Sequence, residues 1–349
     1  MKTRNQLKTS NTHGAFAIRV NPKHKCAHAD LITKPDHQCL FRNIEIKLNK
    51  FSVTIEDIEN HKIISDRELD RDLANIDKFT GETNDNNFSG NPFLYHFQLK
   101  NLLKCQKQNG KTIYDVAADP VQWDKLIKST IRRCRPGLST AGNIFDAYRI
   151  NLGSVVMFKS TTAKYLYKKY NAKSVLDPTA GWGGRMLGAW SLGIDYTGID
   201  TNIEMKPAYD NMIEYLNRQV RSNTSTINMI WDSCLNVDFS KIEYDFVLTS
   251  PPYVNLERYE HMAPWKSDEE FYKDFFIPLW NKCKAHIKPG GHIAFNISPK
   301  MYDAARTLGL PVCHFEEDLK QNRGNSEKNK SPDKIYVWNT SVINSEQTK

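Results

Sequence analysis

Nowhere in the 349 residues does an apolar run reach the length of about eighteen that a membrane-spanning helix needs. A spanning helix, and with it a membrane partner, is not expected. The opening stretch, MKTRNQLKTSNTHG, is basic but has no apolar core behind it, so a secretory signal is not expected either. Seven cysteines make an odd count with no regular framework, which points to a reducing compartment, the cytoplasm or, for a viral protein, the nucleic-acid compartment of a host cell. No internal repeat is visible. What remains is an ordinary globular composition, 40% hydrophobic and 25% charged, long enough for one generous domain or two modest ones. The net charge of +8 suits a polyanionic partner.

The most informative stretch is Asp245 to Tyr253, DFVLTSPPY. Phe246, Val247 and Leu248 read as a short buried strand that runs into Ser250-Pro251-Pro252-Tyr253. Each proline fixes φ and removes a backbone donor, and Pro251 pushes Ser250 out of the helical region. The result is a stiff corner with free carbonyls, a hydroxyl and an aromatic ring at the carboxyl end of a strand, where open α/β sheets bind ligands. A flat ring bearing an amino group would find acceptors and a stacking partner there. The plainer reading is a loop with two prolines and a chance tyrosine.

About seventy residues upstream, Ser174 to Asp177 is a second short apolar strand. It leads into Pro178-Thr179-Ala180-Gly181-Trp182-Gly183-Gly184-Arg185 and an apolar helical run from Met186 to Leu192. Strand, glycine turn and helix form a nucleoside-cofactor arrangement, in which glycines let backbone N–H groups approach a ligand. The third glycine of a dinucleotide fingerprint is missing. A third strand-like segment, Tyr196 to Ile199, ends at Asp200, where a carboxylate can accept from both hydroxyls of a ribose. A fourth, Ile227 to Trp231, ends at Asp232, placed to accept from an adenine amino group.

Four strand ends in the order glycine turn, ribose acid, base acid and S-P-P-Y resemble the S-adenosylmethionine-dependent amino-methyltransferases that modify exocyclic amines of DNA bases. That family reads D-P-F-x-G-x-G-T in the first loop and D/N/S-P-P-Y/F/W at the corner; here the two are DPTAGWGGR and SPPY. The resemblance covers about half of the chain, from near Asn151 to Val342. Thr179 stands where the family usually has an aromatic residue and Gly184 where it has threonine. The Ser form of the corner is similar to that of cytosine-N4 enzymes, whereas adenine-N6 enzymes usually carry Asp or Asn. No cysteine follows a proline, which counts against the Pro-Cys nucleophile of cytosine-C5 enzymes.

The resemblance implies a Rossmann-like seven-stranded α/β methyltransferase sheet over residues 141–349, behind an N-terminal α+β region over 1–140 that is a candidate for contacting nucleic acid. The remaining strands are expected at His292 to Ile297, Pro311 to Phe315 and Lys334 to Trp338, the last two as an antiparallel edge. Helices are expected from Asp66 to about Phe79 behind the Ser65–Glu68 capping box, and over Phe93 to Gln108. Asp119-Pro120 starts another, to about Arg133, and further helices cover Thr161 to Tyr170, Ser267 to about Ile287 and Pro299 to Leu308. Ile44 to Ile55 alternates like a hairpin or strand pair. Little chain follows the seventh strand, so base reading is expected from the N-terminal region or from the loop Val254 to Trp265.

The resemblance also assigns roles. Tyr253 stacks on a base flipped out of its duplex, and Ser250 and the Pro251 carbonyl accept from the amine; Pro252 completes the corner. Asp200 and Asp232 hold the ribose and adenine of S-adenosylmethionine, and Pro178, Thr179, Gly181 and Gly183 shape its methionine end. Asp177 anchors the loop or reaches the amino-acid end through water. Phe158 closes over the methionine end, or is ordinary core. Lys128, Arg132, Arg133, Arg135 and Arg258 are candidates for a phosphate backbone of DNA, with RNA as an alternative; a solvated helix face is the bland reading of the first four. His24, Cys26, His28, His37 and Cys39 could surround zinc, but their one-residue spacings also suit a plain hairpin, and no metal is expected. An RNA base, a protein amide, or a nucleic-acid-binding protein with weak catalysis remain open, and an NAD oxidoreductase leaves S-P-P-Y unexplained.

Overall fold

The structure is a computed structural model that describes residues 18–20, 44–46, 53–82, 87–107, 111–153, 155–220, 225–252, 257–258, 265–319 and 333–342. Two compact units interleave along the chain: residues 1–62 with 102–155, and 63–101 with 156–349. A single junction near residue 140 is the sequence expectation; the observed division instead places 63–101 with the sheet.

In the first unit a short antiparallel ladder pairs Ile18–Val20 with Ile44–Ile46. The alternation expected to run on to Ile55 stops earlier, because Thr54 begins a helix, Ile55–Asn60. Its hydroxyl accepts from the Asp57 N–H at 3.1 Å while the Asp57 carboxylate accepts from the Thr54 N–H at 2.7 Å, a capping box. Helix Pro120–Arg133 starts as expected, with Asp119 accepting from the N–H groups of Val121 and Gln122 and proline at the first turn. Leu126, Ile127 and Thr130 form its buried stripe. Helices Ile113–Ala118 and Thr140–Asn151 also belong to this unit.

The second unit is built on seven strands: β1 (Ser174–Asp177), β2 (Asp195–Asp200), β3 (Ile227–Trp231), β4 (Phe246–Thr249), β5 (His292–Ile297), β6 (Phe315–Asp318) and β7 (Lys334–Asn339). Their spatial order is β6-β7-β5-β4-β1-β2-β3. All pairings are parallel except those of β7, which runs antiparallel to β5 and β6. This is the Rossmann-like seven-stranded α/β sheet expected from the sequence. Strand β4 is buried at all four positions, as a central parallel strand covered on both faces must be. Strand β6 lies later than expected. Pro311 has no N–H for a ladder and its carbonyl takes the Trp338 indole N–H at 2.9 Å, so pairing with β7 begins at Phe315.

One face of the sheet carries an aromatic core that includes Phe271, Phe276, Trp280, Phe295 and Trp338. The helix expected from Ser267 to Ile287 is present in three pieces. A turn over Asp268–Phe271 is capped by the Ser267 hydroxyl, a widened π turn follows over Tyr272–Phe276, and a regular helix spans Ile277–His286. Pro278 has no N–H to return to the preceding turn, and the ladder opens just before it.

Residues 63–101 supply α1 (Asp66–Lys78) and most of α2 (Asn91–Lys104) to this unit. Asp72, buried, accepts from the N–H groups of Gly90 and Phe93 and so caps the start of α2. Lys164, on α3 (Ser160–Lys169), donates to the Ile76 and Asp77 carbonyls, both at 2.7 Å, and closes the end of α1. Helix α4 (Gly184–Trp190) follows the glycine turn, and α5 (Lys206–Asn217) crosses between β2 and β3. Tyr215 of α5 donates to Asp70 of α1 at 2.7 Å.

Candidate cofactor and transfer site

Strand β1 ends in Asp177, which is fully buried. Arg185 Nε lies 2.6 Å from Asp177 Oδ2, and the Tyr196 hydroxyl donates to the same oxygen at 2.7 Å. The Arg185 guanidinium also donates to the Thr179 carbonyl and stacks on the Phe158 ring, 5.1 Å from its centroid. Burial works against the charge on Arg185, but the Asp177 carboxylate and its hydrogen bond outweigh that, so the pKa is held above its ordinary value. Of the two roles expected for Asp177, anchoring the turn is the one these contacts perform. Phe158 is brought to the turn as well.

The turn needs glycine at two positions with left-handed backbone, Gly181 (φ 58°) and Gly183 (φ 89°). Its amides are largely committed within the protein. The Ala180 N–H donates to the Ile199 carbonyl at 2.9 Å, and the Gly181 N–H donates to Asp200 Oδ2 at 2.8 Å. The Gly181 carbonyl accepts from the Tyr209 hydroxyl at 2.8 Å. At Gly184 a Cβ would sit 1.9 Å from the Phe158 carbonyl oxygen. This explains why threonine does not stand there: the backbone of Phe158 occupies the space.

Asp200 closes β2. One oxygen takes the Gly181 N–H and the other the Asn202 N–H at 2.9 Å, which leaves one acceptor position on each. Burial pushes its pKa up, against the pull of those two hydrogen bonds. On the neighbouring strand Trp231 pairs in register with Asp200, so Asp232 lies one residue farther along. Its Oδ1 accepts from the Ser233 N–H at 2.6 Å and from Asn236 Nδ2 at 2.9 Å.

Strand β4 delivers Thr249, fully buried, and then the proline corner. The Thr179 and Thr249 hydroxyl oxygens are 2.6 Å apart, and Thr179 Oγ1 donates to the Ser250 carbonyl at 3.0 Å. A carbonyl can only accept, so the Thr179 proton goes to Ser250 and Thr249 must donate to Thr179. The glycine turn and the corner are thus tied together by side-chain hydroxyls. Pro251 is buried and Pro252 half-buried. From the neighbouring β5, Asn296 Nδ2 donates to Ser250 Oγ at 3.2 Å. Tyr253 lies outside the described residues.

The expected phosphate-binding residues divide. Lys128 is 2.6 Å from Asp124 and Arg135 is 3.2 Å from Asp146, so both carry acidic partners. Arg132 and Arg133 are exposed on the last turn of helix Pro120–Arg133, where the helix dipole favours cations. Arg258 lies in a two-residue strand, and its side chain is outside the described residues. The histidines and cysteines at 24, 26, 28, 37 and 39 also fall outside them. Among the described residues no cluster of metal-binding side chains occurs, and five cysteines, Cys105, Cys134, Cys234, Cys283 and Cys313, are free thiols.

No protein-family model matches the sequence, and no curated protein does. Solved structures similar to this chain include TrmN from Thermus thermophilus, 17% identical over 51% of this chain and 48% of that one, with a TM-score of 0.37. A methyltransferase homolog protein from Pyrococcus horikoshii is 16% identical over 51% and 65%, with a TM-score of 0.35. An rRNA methylase from Streptococcus thermophilus is 13% identical over 53% and 98%, with a TM-score of 0.35. The match spans less than two thirds of the length of the first two structures. The fold assignment rests on the strand order of the sheet.

Proposed function

We propose that this protein transfers the methyl group of S-adenosylmethionine to an exocyclic amino group of a nucleic-acid base, with the N4 amine of DNA cytosine ahead of the N6 amine of adenine. The observation that carries this reading is the Thr179–Ser250 hydrogen bond. It holds the glycine turn and the proline corner side by side at the carboxyl edge of the sheet, where a cofactor and an amine can meet.

The donor set suits the cofactor. Asp200 keeps an acceptor position on each oxygen for the two ribose hydroxyls, and Asp232 serves the adenine amine. Gly181 leaves open space beside the turn, whereas Gly183 is packed against Met212 and Leu94 and serves the turn through its left-handed backbone. Pro178 and Thr179 line the same turn, with the Phe158 ring beside it. When bound, S-adenosylmethionine supplies an electrophilic methyl carbon on a sulfonium. The chain's own residues do the positioning. Ser250 and the Pro251 carbonyl hold the target amine with its lone pair free, and Tyr253 stacks on the extruded ring. No strong base is needed, because the amine loses its proton after it has become cationic; orientation is the main catalytic device. Arg132, Arg133 and Arg258, with Lys128 and Arg135, are assigned to the phosphate backbone.

An RNA base is the second reading, because the same corner chemistry serves any exocyclic amine. Mass spectrometry of nucleosides from DNA and from RNA incubated with the protein and S-adenosylmethionine tests both. A methylated cytosine or adenine in DNA supports the first reading and the same product in RNA the second. No product, together with no cofactor affinity by calorimetry, would leave a nucleic-acid-binding protein on this fold.

A further inference from the structure

Asn296 stands on β5 at the level of the corner, since Phe295 pairs in register with Thr249 and the next residues on the two strands are Asn296 and Ser250. Its residue exposure is 9%, and its Nδ2 donates to Ser250 Oγ while its Oδ1 has no hydrogen-bond partner. A buried polar atom without a partner calls for an explanation, because an apolar side chain of similar size would avoid the penalty. Turning the amide over would be worse, for it would leave two N–H donors in that place instead of one acceptor. The amide is therefore held for what its N–H does to Ser250.

A serine oxygen that accepts from Asn296 keeps its own proton to give. The next residue, Pro251, offers a carbonyl that can only accept. A donor beside an acceptor is the complement of an amidine edge, a ring nitrogen with a lone pair next to an amino group. Cytosine (N3 and N4) and adenine (N1 and N6) present that edge. Guanine presents a ring N–H beside its amino group, and its proton would meet that of Ser250.

We infer that Asn296 is a positioning residue that sets Ser250 as a hydrogen-bond donor to the ring nitrogen, while Pro251 takes the amine, so that the site selects amidine-edged bases and rejects guanine. This rests on the transfer reading above and replaces the hold on the amine given there to Ser250 with a donor's part toward the ring nitrogen. Discrimination of this kind is strong where a buried polar group would be left unpaired by the wrong ligand.

The test uses the full chain with S-adenosylmethionine and oligonucleotides, DNA and RNA, in which cytosine, adenine or guanine is the one base bearing an amino group. Wild-type protein is expected to methylate the cytosine or adenine strand and not the guanine strand. Replacing the preferred base by its deaza analogue, with C–H in place of the ring nitrogen, is expected to lower kcat/KM on the order of 10- to 100-fold. In Asn296→Asp the carboxylate takes the Ser250 proton. That variant should show the same loss on the natural base, little further loss on the deaza base, and unchanged cofactor affinity by calorimetry. A merely structural asparagine would leave the natural-to-deaza ratio as in wild type, and that result overturns the inference while leaving the transfer reading intact. Methylation of guanine also overturns it. Failure of the wild-type chain to methylate any strand ends both. Should Asn296→Asp not fold, Asn296→Leu, which removes the amide donor and leaves the hydroxyl free to turn, is expected to lower the natural-to-deaza ratio part of the way; a ratio as in wild type overturns the inference.

Discussion

Thr179 Oγ1 donates to the carbonyl of Ser250 across 3.0 Å, joining the ends of two strands that are neighbours in the sheet and about seventy residues apart in the chain. Through Thr249 the same hydroxyl continues into the buried end of β4. The residue that departs from the aromatic position of the amino-methyltransferase pattern is the one that links the two loops.

Replacing Thr179 with valine keeps the shape and removes the hydroxyl, leaving the buried Thr249 hydroxyl and the Ser250 carbonyl short of a partner. A loss of about 1–3 kcal/mol in unfolding free energy is expected. Methyl transfer should fall further than cofactor affinity, because the corner and the turn are no longer held in register. Urea unfolding and single-turnover transfer measure the two effects; an intact rate would show that the link is dispensable.

Asp200→Ala removes both proposed ribose acceptors and the Gly181 anchor. Cofactor affinity by calorimetry should weaken on the order of tenfold to a hundredfold, as loss of a charged hydrogen-bond partner implies. Tyr253→Ala should do the reverse, abolishing transfer while cofactor affinity stays near wild type. If both variants lose both properties alike, the division of labour between turn and corner is refuted.

Arg185→Met leaves the Asp177 carboxylate buried without its cation. Breaking such a pair costs about 3–5 kcal/mol. The thermal unfolding midpoint should drop sharply, and Arg185→Met combined with Asp177→Leu should recover part of the loss. A double variant no better than the single one would show that the pair acts through something other than charge.

Gly184→Ala puts a Cβ where the Phe158 carbonyl lies, and the neighbour is backbone, so it cannot swing aside. Overpacking of about 1–3 kcal/mol is expected, with weaker cofactor binding because the turn must shift. Calorimetric unfolding and cofactor titration read it directly. A neutral substitution would mean that the segment at Phe158 moves freely.

Acid should destabilise the sheet unit between neutrality and mildly acidic pH. His96 takes the Ile64 N–H at 3.1 Å on Nδ1, and burial lowers its pKa against the pull of Asp66. Burial likewise lowers His292, with Asp245 opposing. A folded pKa below the unfolded value of about 6.5 means that the unfolded chain binds protons first. Stability is then full above that value and declines as pH falls through it. Asp72 and Asp200, pushed up by burial, have the opposite sign: they lose stability as pH rises through their folded values. Urea midpoints from pH 7.5 to 5.5 should fall in wild type and fall less in His96→Asn, which can still accept from Ile64; equal slopes would remove His96 from the account.

Much of the sheet was legible because its strands are short apolar runs ending in polar groups. Strands β1 to β5 and β7 fall where Ser174, Tyr196, Ile227, Phe246, His292 and Lys334 mark them. Strand β6 lies later than the apolar stretch suggests because Pro311, at its start, gives its carbonyl to Trp338 rather than to a ladder. Helix Thr140–Asn151 is hard to see in the sequence because its start, Ser-Thr-Ala-Gly, reads as a turn, although Ser139 accepts from the Gly142 N–H and caps it. At the candidate site the residue types were legible, but their partners were not. Which hydroxyl meets Ser250 depends on the parallel register of β1 and β4, and that is settled by packing of the whole sheet. An arginine eight positions after Asp177 is the one hint of the ion pair that the sequence offers, and its burial is not legible there. Asn296 gave no signal, since an asparagine in an apolar strand looks like an edge position until its neighbours are known.

The lysine that closes α1 carries a lesson for anyone dissecting this chain. Lys164 finds its two acceptors nearly ninety positions earlier, at Ile76 and Asp77, with residues 102–155 of the first compact unit threaded between. A single cut between residues 102 and 155 therefore separates the sheet from part of its own unit. A truncation beginning near residue 141 would remove both acceptors of Lys164, so a minimal version has to bring residues 63–101 along, spliced or supplied as a separate peptide.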